Sequence, residues 1–131
     1  MIEIYGGERD WMNYRIVRDD LTYHHIIKRC DGGRETIDNG ALLMKVPHEY
    51  LHLIEFKDFK SYKHLNQVFR LINDQRHDPT PEQRETVEYI LQEFEYRHRN
   101  DRNSKGKRLI KDKYLCRQHR VDISRVYMLL T

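Results

Sequence analysis

The chain is 131 residues long, 34% of them charged, with a formal net charge of +3 at pH 7. That length supports one modest core rather than two independent folds, and charge this dense leaves no continuous apolar span, which excludes a transmembrane helix. Met1-Ile2-Glu3-Ile4-Tyr5 has neither the basic start nor the apolar core of a signal peptide, and Cys30 and Cys116 do not form a CxxC pair. A cytoplasmic protein with free thiols is therefore expected, although the sequence leaves a bridge between the two cysteines open.

In chain order, Glu8 to Val17 reads as a short helix or an irregular lead-in, with Trp11, Tyr14 and Ile16 available to cover the module formed by the next forty residues. Leu21-Thr22-Tyr23-His24-His25-Ile26-Ile27 is β-prone and partly apolar, which puts the paired histidines on a strand. Asp31-Gly32-Gly33 is turn punctuation, and Ala41 to Val46 reads as a second short strand returning antiparallel to the first. Pro47 suits a first helical position, so a helix is predicted from His48 to Asp58. His48 and His52 then lie one turn apart on the same helical face.

The order strand, turn, strand, helix, together with His24-His25-Ile26-Ile27, Gly32-Gly33, Asp38-Asn39, Leu42-Leu43 and the HxxxH of His48 and His52, resembles the HNH nucleases and their ββα-metal module. The stretch covers roughly a quarter of the chain. The resemblance implies His25 as general base, Asn39 as the residue that clamps the loop and orients that base, and His24, His48 and His52 as metal ligands. It implies one divalent ion, for which it allows Mg2+ or Mn2+ while the ligand chemistry leaves Ni2+ and Zn2+ open, and in-line hydrolysis of DNA that leaves a 5′-phosphate and a 3′-hydroxyl. The paired CxxC knuckles that brace many members with a structural zinc are absent, so packing is expected to hold the module.

The residue types suit that chemistry. Hydrolysis of a phosphodiester needs an activated water and a cation for the charge that builds on phosphate and leaving oxygen. Imidazole titrates near neutral pH, and general base catalysis is worth roughly 10² to 10⁴-fold in rate. Neighbouring strand residues point to opposite faces, which favours splitting His24 and His25 into ligand and base. Three protein ligands with open positions describe a catalytic ion rather than a closed structural one. Imidazole prefers zinc or nickel to magnesium, which seeks oxygen. Each residue also has a plainer reading: Asn39 as turn chemistry in Asp-Asn-Gly, His52 as a surface histidine of its helix, Cys30 as incidental.

Further on, Tyr62, Leu65, Phe69 and Ile72 recur at helical spacing and predict a core-facing helix over about 59 to 73. A linker from Asp74 to Pro79 leads to Thr80-Pro81-Glu82-Gln83, a helix start with Thr80 as N-cap and Gln83 placed for a capping box, and Val87, Ile90, Leu91 and Phe94 as the buried stripe. From Arg97 to Arg120 basic residues crowd together with only Asp101 and Asp112 against them. Lys105, Lys107, Arg108 and Lys111 are the expected nucleic-acid contacts, the alternative being a solvated tail. Asn103-Ser104-Lys105-Gly106 reads as a flexible break, and Val121 to Leu130 is apolar enough to dock on the body or a partner.

The expectation is an α+β protein of one domain, residues 1–131, with a ββα-metal core over about 20–58, a helical extension over about 59–99 and a basic C-terminal segment over about 97–131. Its expected activity is metal-dependent, HNH-type cleavage of DNA. The alternatives are a nucleic-acid-binding or regulatory protein that kept the fold without cutting, and a metal-stabilised interaction domain.

Overall fold

The computed structural model describes residues 10–14, 21–28, 30, 32–33, 40–75 and 79–115. Strand β1 (Leu21–His25) pairs antiparallel with β2 (Gly40–Met44), with Leu21 opposite Met44 and His25 opposite Gly40. Helix α1 (Lys45–Lys57) follows β2 directly, α2 (Phe59–Gln75) begins after Asp58, and α3 (Pro81–His98) leads to a hairpin and a short 3-10 turn at Asp112–Leu115. The α+β class and the ββα order match the expectation.

Helix α1 starts earlier than its sequence suggests. Met44 is its N-cap, with no side-chain hydrogen bond to mark the start, so Lys45 and Val46 are helical rather than the end of a strand. Pro47 becomes the third helical residue, where its missing N–H still falls among the first four that have no intrahelical partner. The junction is braced from outside. The buried Asp10 carboxylate accepts the backbone N–H of Met12 at 2.7 Å and that of Met44. Burial pushes the Asp10 pKa up to about 7, against the lowering effect of the bonds from Met44 and Met12. Asn13, at φ 66°, turns the chain in this segment, and its side-chain amide donates to Arg84 O at 3.1 Å while Arg84 donates back to its Oδ1 at 3.0 Å. Residues 10–14 thus form an irregular lead-in pinned to α3.

The core lies between the sheet and the helices. Tyr62, Leu65, Phe69 and Ile72 of α2 and Val87, Ile90, Leu91 and Phe94 of α3 are all buried, together with Trp11, Met12, Tyr50, Leu51 and Ile54. Truncating any one of the large members would cost about 2 to 5 kcal/mol. Helix α3 begins with the full capping box: Gln83 N–H donates to Thr80 Oγ1 at 3.2 Å, and Gln83 Oε1 accepts Thr80 N–H at 2.9 Å. Helix α2 runs two residues beyond the expected end, to Gln75, whose side chain bonds that of Gln83. None of the helices among the described residues is long and apolar enough to cross a membrane.

The segment after α3 is a hydrogen-bonded hairpin rather than a loose break. Asn103 N–H donates to Lys107 O at 2.8 Å, Leu109 N–H to Asp101 O at 3.0 Å, and Arg102 bridges to Arg108. Gly106 turns it at φ 78°, a conformation that costs glycine nothing. Beyond it Tyr114 is buried, stacked flat on Tyr50 at 4.7 Å, which ties the segment to α1.

Candidate metal centre

Strand β1 and helix α1 bring the histidines together. His24 sits on β1 opposite Ala41, whose small side chain leaves room on that face for an imidazole. His48 and His52 project from α1 toward it. The ring centroids of His24 and His48 are 5.4 Å apart, those of His24 and His52 6.1 Å, and those of His48 and His52 4.8 Å with the rings stacked. One ring nitrogen from each lies within 4.8 Å of the others. Tetrahedral ligands at metal–nitrogen distances of about 2.0–2.1 Å stand roughly 3.3 Å apart, a spacing that small side-chain rotations reach from here.

Each ring is also held by a hydrogen bond. His24 Nε2 lies 2.9 Å from Asn66 Oδ1 of α2, His48 Nδ1 lies 2.8 Å from Thr22 Oγ1 of β1, and His52 Nδ1 lies 3.1 Å from Glu55 Oε1. An amide oxygen and a carboxylate oxygen accept only, so His24 carries its proton on Nε2 and His52 on Nδ1. Thr22 spends its single hydroxyl proton on Leu43 O at 2.7 Å, and must therefore accept from His48 Nδ1–H. Each imidazole is left with one lone-pair nitrogen: Nδ1 of His24, Nε2 of His48 and Nε2 of His52. Second acceptors that fix the tautomer and orientation of a ring are the usual companions of metal-binding histidines.

The electrostatics agree. His24 is 2% exposed, and burial, together with the neighbouring His48 and His52, lowers its pKa to about 4 against the raising effect of Asn66. Burial and then His52 and His25 lower that of His48. Both rings are therefore neutral at pH 7, the form in which imidazole binds a metal. Burial alone would raise the Glu55 carboxyl, but hydrogen bonds from Lys28 and His52 outweigh it and hold the pKa below the ordinary value. The ionised carboxylate then keeps its hold on the His52 ring.

His25 ends β1 and lines the same cavity of about 410 Å3 as His24, His48, His52, Lys28, Cys30 and Tyr62. The expected opposition of neighbouring strand residues is relaxed there, because His25 holds the last ladder position and the chain bends at Ile26 and Ile27. Asn39 lies outside the described residues. Cys30 is exposed and free. Comparison of the chain with protein-family models, with curated proteins and with solved structures finds no match.

The histidines are legible from HxxxH and the adjacent pair, whereas the sequence does not single out Thr22, Glu55 or Asn66. Glu55 carries a signal, being three residues beyond His52 on the same helical face. Thr22 and Asn66 carry none, since their contacts depend on how β1 meets α1 and α2.

The basic segment is exposed at Lys105, Lys107, Arg108 and Lys111. Arg108 pairs with Asp112 at 2.6 Å. Arg97, although exposed, is engaged with Asp58 at 2.6 Å, Glu93 at 3.4 Å and Ser61 at 2.9 Å, so its charge is already paired.

Proposed function

We propose that this chain is a metal-dependent endonuclease of the HNH type that hydrolyses phosphodiester bonds of DNA. The observation that carries the reading is the convergence of three imidazoles, with one ring nitrogen of each within 4.8 Å of the others and each ring hydrogen-bonded to a neighbour, in one cavity with a fourth imidazole. His24, His48 and His52 would hold a divalent cation, and an all-nitrogen set favours Zn2+ or Ni2+ over Mg2+ or Mn2+. When bound, the cation neutralises charge that develops on the phosphate and the leaving oxygen. His25 takes a proton from the attacking water, and Asn39 keeps the role of orienting it that the family resemblance implies. Thr22, Glu55 and Asn66 hold the ligand rings in register. Lys105, Lys107 and Lys111 supply phosphate contacts that position the duplex without reading bases. A module that binds without cutting has no use for a fourth imidazole in the cavity, which favours cleavage over binding alone.

Incubation of the protein with supercoiled plasmid across Mg2+, Mn2+, Ni2+ and Zn2+ tests the reading. Nicked or linear product is expected with at least one ion, and loss of at least about 100-fold in rate in His25→Ala, whose zinc affinity stays at the wild-type value. Full turnover in His25→Ala would remove the proposed base, and no cleavage with any of the four ions would refute the activity.

A further inference from the structure

A second concavity, about 630 Å3, adjoins the histidine cavity. One wall is the chain leaving β1, Ile26 to Lys28, and the other is a face of α2. On that face Phe59, Lys63, Gln67 and Arg70 follow at spacings of four, four and three, a row of neighbours down the helix. From Phe59 to Leu71 the wall runs about 18 Å. Lys28 and Tyr62 line both concavities, and Asn66, which anchors His24, lines the groove, so the two form one continuous surface.

The groove is apolar within and cationic along its edge. Ile27, Phe59 and Leu71 are 44%, 58% and 59% exposed, a grouping of large apolar side chains that folding alone does not account for. The Phe59 ring stacks near-parallel on Tyr62 at 5.8 Å, and Lys63 Nζ lies 6.0 Å from its centroid. At the Phe59 end, the preceding residue Asp58 accepts from Arg97 and His98, and His98 also pairs with Asp101, the root of the basic hairpin. The cationic path of the hairpin thus begins where the apolar groove ends.

An apolar peptide makes no use of Lys63 and Arg70, and a bare phosphate makes none of the apolar floor. A nucleotide uses both, but in a duplex the base faces are covered by their neighbours. Unpaired bases expose a face for aromatic stacking while their phosphates meet basic side chains. We infer that the groove along α2 receives an unpaired stretch of nucleic acid, with bases against the exposed Phe59 and Leu71 and phosphates along Lys63 and Arg70. The strand presented to the histidine site is then single-stranded or splayed. This rests on the nuclease reading for its consequence, but not for its test.

The test is fluorescence anisotropy in EDTA, which removes metal and cleavage, with a 5′-labelled single strand of about 20 nucleotides, long enough to span such a groove, and the matched duplex. The single strand should bind more tightly, and Phe59→Ala should weaken it about tenfold, a typical loss for one stacked base. Phe59→Tyr should restore it, and duplex binding should not change. A zinc titration of Phe59→Ala that matches wild type confirms an intact fold and histidine site. Equal affinity for the two forms, or a single-strand affinity that Phe59→Ala leaves unchanged, overturns the proposal. Plasmid cleavage separates the two readings: a cutting enzyme indifferent to Phe59→Ala loses the groove alone, and a protein that binds single strands through Phe59 but cuts with no ion loses the nuclease alone.

Discussion

Replacing Thr22 by Val removes one hydroxyl and keeps the volume and β-branched shape that a strand favours. That hydroxyl donates to Leu43 O at 2.7 Å and accepts from His48 Nδ1 at 2.8 Å, so two groups lose a partner. Leu43 is fully buried and His48 half-buried, which puts the stability cost at about 1 to 3 kcal/mol. Metal affinity should fall as well. Without Thr22 the His48 ring is free to rotate and to move its proton to the nitrogen that must carry the lone pair. Loss of such an outer partner costs about 10- to 100-fold in affinity, equivalent to roughly 1.4 to 2.7 kcal/mol. Calorimetric titration with Zn2+ or Ni2+ measures this, and a thermal melt in EDTA measures stability separately. Thr22→Ser, which keeps the hydroxyl, should bind close to wild type. A Thr22→Val protein that melts lower but binds metal as tightly as wild type would refute the assignment of His48 Nε2 as a ligand atom.

The remaining predictions are more direct. His48→Ala should lose metal affinity and cleavage together in titration calorimetry and the plasmid assay, whereas unchanged affinity would place the ion elsewhere. Replacing Lys105, Lys107, Arg108 and Lys111 together by Gln should flatten the dependence of log affinity on log salt, which is about −0.9 per phosphate engaged on duplex DNA, with Arg108 contributing least because Asp112 already holds it. A wild-type salt slope would make this hairpin a solvated loop. In the metal-free protein two buried groups pull stability in opposite directions with pH. His24, lowered to about 4, favours unfolding as pH falls from about 6.5 to 4, because the unfolded chain takes up the proton first, at a cost of about 3 kcal/mol. Asp10, raised to about 7, contributes stability that is full below about pH 4 and lost as pH rises through 7. Because His48 is lowered as well and acts in the same direction as His24, the wild type should lose a little stability as pH falls from about 6.5 to 4 in urea melts, and Asp10→Asn should deepen that loss; an Asp10→Asn protein with a flat profile contradicts the burial of neutral His24.

Much of this architecture is written locally. The stripes of α2 and α3 repeat at helical spacing and state which faces are buried, and the capping box of Thr80 and Gln83, within four residues, states where α3 begins. The start of α1 is not legible because Met44 offers no capping side chain and Lys45-Val46 continues an apolar run. Its brace, Asp10, reaches Met44 across 34 residues. The site divides the same way. Its histidines stand in two short motifs, but Asn66 meets His24 from 42 residues away, and only the packing of α2 beside β1 makes that contact. The hairpin at 101–109 looks loose in composition, rich in Asn, Ser, Lys and Gly. It is closed by backbone hydrogen bonds, with Gly106 supplying the turn.

The most direct test of the metal centre is X-ray absorption at the zinc edge on untagged protein loaded with one equivalent of Zn2+. Three anchored imidazoles predict a first shell with three nitrogen scatterers at about 2.0–2.1 Å, outer-ring scattering characteristic of histidine, and one further light atom from water. In His24→Ala the histidine contribution should fall from three rings to two. A shell of oxygen alone, a sulfur scatterer at about 2.3 Å from Cys30, or zinc that washes away on desalting would contradict a centre built on His24, His48 and His52.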